Sequence, residues 1–298
     1  MRPFSLEEYG DARVTAVITA RNEAHTIAEV VRGTARYVHE VLVMDGRSSD
    51  DTAARARAAG ARVIQDHGRG KGAAVRQSLG ETTADVVVFL DADGSHDPSD
   101  IPLLVRPVVE HESDLCVGSR FSGGTDELSV TVGQLVRTIG NVSMNIAINK
   151  RFDVALTDTL NGFRAIRREV ALAVRLAEDR HTIEQEMVMK VLAFGYRVSN
   201  APTHEYSRLF GTSHIAVWRE WPSFVRCVLV NIFRPQRALH GMPQSASHLA
   251  PVRHDARARP ALHTWMQGEA AVTSGVASGA VVSSAVVSGA VVSELADS

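Results

Sequence analysis

Two aspartates separated by one residue, Asp91 and Asp93, form the pattern in this sequence with the clearest chemical use. Asp91 ends the apolar run 86–91 and Asp93 lies two residues further on. Side chains two residues apart on a strand point to the same side of a sheet. Paired carboxylates are hard oxygen ligands that suit Mg²⁺ or Mn²⁺ bound together with phosphate groups. A cation held there would neutralise the charge of a departing diphosphate. An acidic turn that caps the following helix is the alternative interpretation.

Polar residues also follow three other apolar runs in the first 120 residues. Arg21 and Glu23 follow the first run, Asp45 ends the second, and Arg120 follows the fifth. Ligands of open parallel sheets bind at the carboxyl ends of the strands, which meet at one edge. We therefore expect these side chains and Asp91 to line one site.

The turn 69–72, with the sequence RGKG, opens a helix and is a second candidate for anion binding. Its glycines allow a close backbone approach, Lys71 adds positive charge, and a helix N-terminus attracts anions. The GxxxxGK(S/T) spacing of a P-loop does not occur there. A plain glycine-rich connection is the alternative.

Short apolar runs alternate with helical patterns along the chain, and this alternation predicts the fold. Strands are predicted at residues 14–20, 41–45, 62–65, 86–91, 115–119, 162–166 and 197–201. Helices are predicted at residues 25–37, 50–59, 71–79, 99–109, 128–150 and 183–193. The expected fold class is α/β, with an open, mainly parallel sheet sandwiched by helices.

The composition of the chain limits which partners it can bind and in which cellular compartment it is expected. Lys and Arg total 32 against 34 Asp and Glu, so no field of the whole molecule favours nucleic acid. The two cysteines, Cys116 and Cys227, are expected to be reduced thiols in a reducing cytosol. We find no signal peptide at the start and no apolar run near the ~20 residues that span a bilayer. Ala, Val, Ser and Gly make up 26 of the 31 residues 268–298, which predicts a disordered tail.

Seven blocks of sequence occur in an order that is typical of one enzyme family. They are VITARNE (17–23), VLVMDGRSSDDT (41–52), GRGKGAAVRQSL (68–79), FLDADGSHDP (89–98), GSRFSGG (118–124), DTLNGFRAIRRE (158–169) and HTIEQEMVMKVLAFGYRVSNAPTHEYSRLFGTSHI (181–215). Over about residues 14–215 the chain resembles the inverting family 2 glycosyltransferases of GT-A fold. Within that family it is most similar to the synthases of dolichyl- or polyprenyl-phosphate sugars.

On the donor side, the resemblance implies a pocket for a UDP-, GDP- or dTDP-linked sugar. The residues that it implies for the nucleoside are Ala20, Arg21, Glu23 and Asp45. It implies that Asp91 and Asp93 hold Mg²⁺ or Mn²⁺ and the diphosphate, and that Arg208 closes over the diphosphate. Ser95 stands at the third metal-facing position, where the family has glutamine. Met44 stands where the family often has an acid, so the base cannot be inferred.

On the acceptor side, the resemblance implies that Arg120, Arg137 and Asn141 bind the phosphate of a lipid acceptor. A phosphate monoester is already anionic near neutral pH, so arginines that orient it suffice. A hydroxyl acceptor needs a general base instead. Glu184 and Glu186 lie where many hydroxyl-acceptor relatives keep that base, and on a helix at most one of them is expected to enter the site.

The expected activity is therefore inverting, metal-dependent transfer of a sugar to polyprenyl or dolichyl phosphate. A soluble transferase acting on a hydroxyl of a sugar or small natural product is the first alternative. A non-catalytic nucleotide-sugar-binding subunit is the second alternative.

The resemblance also suggests four parts of the chain. These are an extension (1–13), a nucleotide-sugar-binding half (14–126), an acceptor-binding half (127–240) and a disordered tail (241–298). Aromatic and basic residues in Ile215–Leu239 predict a segment that lies on anionic lipid. Packing of those aromatic residues onto the sheet is the alternative. The expected location is the cytoplasm, with peripheral binding to the inner face of the cell membrane.

Overall fold

The computed structural model describes residues 4–126, 132–208 and 217–233. Seven strands in these residues form one sheet: β1 Val14–Ala20, β2 Glu40–Asp45, β3 Arg62–Gln65, β4 Val86–Asp91, β5 Leu115–Ser119, β6 Arg164–Arg167 and β7 Val198–Pro202. Their order across the sheet is β3-β2-β1-β4-β6-β5-β7. Strand β6 is antiparallel to both β4 and β5, and the other neighbouring strands pair in parallel.

Of the α-helices in the described residues, the last follows β7 and the others connect the strands. The helices are α1 Ile27–Thr34, α2 Thr52–Ala58, α3 Lys71–Glu81, α4 Ile101–Val109, α5 Arg120–Gly123, α6 Val132–Phe152, α7 Arg168–Ala173, α8 Ile183–Ala193 and α9 Val217–Ile232. Short 3-10 helices occupy Leu6–Tyr9 and Pro98–Asp100. No helix in the described ranges is both long and apolar enough to cross a bilayer.

Successive side chains of a strand point to opposite sides of the sheet. Val17 of β1 packs in one cluster with Phe89 of β4 and Val188 of α8, and the next residue, Ile18, is equally buried on the other side. Both faces of the sheet are therefore covered at its centre. Helix α3 packs against β1 and β2, and α4 packs against β4, β5 and β6. The expected α/β fold, a mainly parallel sheet sandwiched by helices, is confirmed.

The structure differs from the sequence-based expectation mainly in short elements. Strand β6 begins at Arg164 instead of residue 162, because the preceding residues form a loop that packs beside the site. The six-residue helix α7 was not predicted, since one and a half turns show no clear apolar period. The predicted tail 241–298 lies outside the described residues, and the division into four parts stays a prediction.

Candidate active site

Hydrogen bonds join the loop after β1 to the loop after β2 at the carboxyl edge of the sheet. The side-chain oxygen Oδ1 of Asn22 accepts from the backbone N–H of Ser49 at 2.8 Å. The backbone N–H of Glu23 donates to Oγ1 of Thr52 at 2.8 Å. Asn22 has a φ of 57°, a left-handed conformation that asparagine tolerates better than most residues. These bonds give the loops a defined shape on the predicted nucleoside side.

Asp45 lies at the base of these two loops and is 5 % exposed. Its Oδ2 accepts from the backbone N–H of Ser48 at 3.3 Å, while its buried Oδ1 has no hydrogen-bond partner. A buried acceptor without a partner costs free energy, so the geometry suits an N–H or O–H donor from a ligand. Beside it, Ala20 accepts a backbone hydrogen bond from Gly46, and the exposed Arg21 packs its Cβ near that glycine.

A lysine between two carboxylates forms the centre of the site. The Nζ atom of Lys71 lies 2.6 Å from Oδ1 of Asp91 and 2.9 Å from Oε1 of Glu184. Burial lowers the pKa of Lys71, but the charges of Asp91 and Glu184 outweigh burial and raise it above its usual value. Burial raises the pKa of Asp91, and the charge of Lys71 outweighs it, so this pKa lies below its usual range. Lys71 and Asp91 are therefore charged at neutral pH.

The second aspartate of the pair is held by the segment that follows β7. The Oδ2 atom of Asp93 lies 3.0 Å from a guanidinium nitrogen of Arg208, and its Oδ1 accepts from the Ser95 hydroxyl at 2.7 Å. The backbone N–H of Ser95 donates to the same oxygen at 3.0 Å. Ser95 thus orients Asp93, and the backbone carbonyl of Ser95 accepts from Tyr206, two residues before Arg208.

Negative charge is concentrated around Asp91 and Asp93. Burial first, and then the charge of Asp93, raises the pKa of the Glu23 carboxyl to about 7, with a smaller contribution from Asp91. A divalent cation would relieve this repulsion, and carboxylate oxygens are the ligands that Mg²⁺ and Mn²⁺ prefer. No ready-made group of three or more such ligands occurs within the described ranges. Two carboxylates nevertheless fit a cation whose other ligands are phosphate oxygens and water.

The glycines of the RGKG turn serve to pack a second loop. A Cβ atom on Gly72 would meet the carbonyl oxygen of Glu178 and, at 2.8 Å, that of Arg180. A Cβ on Gly70 would lie 2.7 Å from the carbonyl oxygen of Asp179. The close backbone approach that the sequence suggested for a phosphate is therefore made by the loop 178–180, which leads into α8 and Glu184.

Replacing Gly72 by alanine is expected to destabilise the fold by about 2 kcal/mol, because the obstructing atoms are backbone oxygens that cannot rotate away. The matched control is Gly80→Ala in the same helix. Gly80 has no atom within 4 Å of an added Cβ, so alanine there is expected to stabilise α3 by about 0.5–1 kcal/mol. Urea unfolding of the two variants measures both values. Equal stabilities would contradict the packing role of Gly72.

The sequence model of the family described as glycosyl transferase family 2 matches residues 15–174. The chain belongs to this family. Glycosyltransferase AglJ of Haloferax volcanii is 34 % identical over 198 residues, covering 64 % of this chain and 62 % of AglJ. An uncharacterised glycosyltransferase of Mycobacterium tuberculosis is 30 % identical over 207 residues, covering 70 % of this chain and 91 % of that protein.

Among solved structures, glucosyl-3-phosphoglycerate synthase of M. tuberculosis is similar in fold. Its complex with Mn²⁺, UDP-glucose and phosphoglyceric acid has a TM-score of 0.61, covers 79 % of this chain and 86 % of the synthase, and is 23 % identical. The sequences of the two proteins also align with 34 % identity over 148 residues, which is 45 % of each chain. The expected family and the GT-A fold are thereby confirmed.

Arg120, which was predicted to lie on the acceptor side, belongs to a second cluster of charged side chains. Nε of Arg120 lies 2.7 Å from Oδ2 of Asp158, and a second guanidinium nitrogen lies 3.2 Å from Oε2 of Glu205. The guanidinium is thus held by two carboxylates. Asn141 is half-buried on α6, while the side chain of Arg137 lies outside the described residues. The proposed binding of a phosphate by Arg120 therefore requires competition with Asp158 and Glu205.

The two glutamates of α8 have different surroundings. Glu184 reaches Lys71, and its second oxygen, Oε2, is buried without a hydrogen-bond partner. Glu186 pairs with Lys190 at 2.7 Å and accepts hydrogen bonds from the backbone N–H groups of Ala177 and Glu178. Glu186 therefore fixes the loop before α8 and is not brought to the site with Glu184.

Three charged residues of the site region were not identified as such from the sequence. Asp158 and Glu205 hold Arg120, and they come from a loop and a strand end far away in the chain. Arg164 is the first residue of β6 and is only 1 % exposed. It lies in the middle of the predicted strand 162–166, whose other residues are apolar or glycine, and this position was a usable signal.

Proposed function

We propose that this chain transfers a sugar from a nucleotide-sugar donor with the aid of Mg²⁺ or Mn²⁺ held by Asp91 and Asp93. The observation that carries the proposal is the convergence of both aspartates with Glu23, Lys71 and Arg208 at one edge of the sheet. It is supported by the solved complexes of glucosyl-3-phosphoglycerate synthase, which contain UDP with Mn²⁺ or with Mg²⁺.

The described side chains have different roles in binding the nucleotide-sugar donor. When bound, the cation supplies positive charge against the leaving diphosphate. Arg208 adds a guanidinium, which suits bidentate contact with phosphate. The free oxygen of Asp45 accepts an N–H or O–H of the nucleoside. Uracil, thymine and guanine all carry a ring N–H, so Asp45 fits UDP-, dTDP- and GDP-linked donors alike.

For the acceptor we infer a lipid phosphate, such as polyprenyl phosphate, whose oxygen attacks the anomeric carbon of the donor sugar with inversion as the nucleoside diphosphate leaves. An anionic phosphate oxygen needs no general base, only orientation, which Arg120, Arg137 and Asn141 would provide. The carboxylates of Asp158 and Glu205 hold Arg120 in place until the phosphate arrives.

Two neighbouring helices present an apolar surface that supports a lipid acceptor. Six of the eight exposed large apolar side chains of the described residues lie on α6, on α9 or directly after α9: Val142, Ile146, Val225, Leu229, Val230 and Phe233. From residue 221 to residue 254 the sequence contains four arginines and neither Asp nor Glu. Apolar side chains beside positive charge suit an anionic membrane surface. We propose that this surface docks on the inner face of the cell membrane, where it meets the lipid acceptor.

A hydroxyl acceptor is the second candidate, and the free Oε2 of Glu184 specifically favours it. A carboxylate oxygen without a partner can accept the proton of an attacking hydroxyl. Glucosyl-3-phosphoglycerate synthase, which resembles this chain in fold, has been solved with phosphoglyceric acid, a small acceptor rather than a lipid.

Turnover assays separate these functions. Purified protein with Mn²⁺ and radiolabelled UDP-, GDP- or dTDP-sugars is supplied with either polyprenyl phosphate in vesicles or small hydroxyl compounds. Label in an organic-extractable, acid-labile lipid supports the lipid phosphate, and Glu184→Gln is then expected to retain activity. Label in a small product that requires Glu184 supports the hydroxyl acceptor. Donor binding without any transfer or donor hydrolysis would instead indicate the non-catalytic subunit.

Vesicle flotation tests the docking surface directly. The double variant Ile146→Glu, Leu229→Glu is expected to lose association with vesicles that contain anionic lipid. The matched control is Leu172→Glu, because Leu172 is 45 % exposed but lies on α7, outside this surface. If the full chain fails to float with the vesicles, or if the double variant floats as well as the control, the proposed membrane docking of this surface is contradicted.

A further inference from the structure

Arg164 is a buried cation whose guanidinium bonds only to backbone carbonyls among the described residues. It donates to the carbonyl of Glu184 at 2.6 Å, to that of Asn161 at 3.0 Å, and to that of Thr159 at 3.4 Å. Burial lowers the pKa of the guanidinium to about 10, so it still carries its charge at neutral pH. Burying an arginine without a bonded carboxylate is costly, and the carbonyls that it joins indicate why it is present.

The joined carbonyls belong to two segments that meet at the site. Thr159 and Asn161 lie in the loop that follows Asp158, the partner of Arg120, and Glu184 lies in the first turn of α8. Arg164, Lys71, Asp91 and Glu184 line one pocket. Movement of the first turn of α8 would therefore move the Glu184 carboxylate away from Lys71.

We propose that Arg164 is a positioning residue: its guanidinium fixes the backbone of Glu184 and, through the Glu184 carboxylate, the place of Lys71 beside Asp91. Only the expected effect of Arg164 on turnover rests on the proposed function; the positioning of Glu184 and Lys71 does not. Lysine at position 164 would keep the charge but lose the planar fork that reaches several carbonyls at once. Displacement of a reacting group by about 1 Å can cost about a hundredfold in rate, so such positioning matters.

A test independent of activity uses the three lysines of the chain, Lys71, Lys150 and Lys190. Lys71 is paired with two carboxylates, Lys150 is exposed and Lys190 is paired with Glu186. The NMR resonances of the three side chains are measured in protein labelled with ¹³C-lysine. Arg164→Gln is expected to shift the ε-methylene resonance of Lys71 toward that of Lys150 and to leave Lys190 in place. The control is Arg168→Gln, because Arg168 also donates to a backbone carbonyl, that of Leu79.

An unmoved Lys71 resonance in Arg164→Gln would overturn the proposal, and so would equal shifts of Lys71 and Lys190, which indicate general loosening. If Arg164→Gln does not fold, Arg164→Lys is measured instead, with its added lysine identified by comparison with the wild type. This readout remains decisive even when no donor is turned over.

If transfer proves to use a hydroxyl acceptor and to require Glu184, a double-variant cycle also tests whether Arg164 acts through Glu184. We expect Arg164→Lys to lower the transfer rate no more than Glu184→Gln does, with the KM for the donor unchanged. Glu184→Gln combined with Arg164→Lys is expected to match Glu184→Gln alone. Additive losses, or a raised KM for the donor in Arg164→Lys, would show a merely structural role and contradict the inference.

Discussion

Replacing Asp93 by asparagine is expected to lower sugar transfer by about a hundredfold to a thousandfold, the usual cost of losing one group that stabilises a transition state electrostatically. Asparagine has nearly the same size and can still accept the hydrogen bonds from Ser95. It lacks the charge that pairs with Arg208 and that would bind the cation. The measurement is turnover with Mn²⁺, together with thermal stabilisation by UDP in the presence and absence of Mn²⁺.

The matched control for this change is Asp97→Asn in the same loop. Asp97 accepts from the backbone N–H of Ser99 at 2.8 Å and caps the 3-10 helix Pro98–Asp100, a role that asparagine fills equally well. The control is expected to keep full activity. If Asp93→Asn retained Mn²⁺-dependent stabilisation by UDP, Asp93 would not hold the cation and the proposed function would lose its basis.

Replacing Lys71 by methionine is expected to destabilise the protein by about 3 kcal/mol at neutral pH, because the change leaves two carboxylates of a largely buried ion group without their shared cation. The value is at the low end of the usual range, since the side chain of Asp91 is 30 % exposed. Urea unfolding measures it, with Lys150→Met as the control at an exposed lysine.

The same variant should show a defined pH dependence. The pKa of Asp91 is lowered in the folded protein, so its pairing with Lys71 stabilises the fold above the ordinary carboxyl pKa of about 4. That stability is lost as the pH falls below about 4 toward the folded pKa. The difference between wild type and Lys71→Met should therefore shrink on acidification. A difference that stays constant down to pH 2 would show that the penalty comes from packing and not from charge.

Sheet elements were predictable where the apolar runs were long. Strands β1, β3, β4 and β5 have the expected bounds. For β1, β4 and β5 the reason is that a strand buried on both faces is apolar at nearly every position. The placing of Asp91 and Asp93 at a strand end followed from the same runs. The antiparallel direction of β6 was not predictable, since local sequence carries no information about which strand will be its neighbour.

Partners of the charged side chains were the least predictable part of the site. The turn 69–72 has the composition of an anion-binding loop, yet Lys71 meets carboxylates from β4 and α8. Glu184 and Glu186 are equivalent by composition, and only the packing of the loop at Ala177 and Glu178 distinguishes them. The pairing of Lys71 with Glu184 joins residues more than 100 positions apart, a contact that spacing along the chain does not report.

The strand order has a consequence for the synthesis of this protein on the ribosome. Strand β5 at Leu115–Ser119 has β6 and β7 as its two neighbours, and both are encoded later, at Arg164–Arg167 and Val198–Pro202. A nascent chain that ends near residue 126 therefore carries an apolar strand with both edges open, a form prone to aggregation. The sheet can therefore close around β5 only after β6 and β7 have been synthesised.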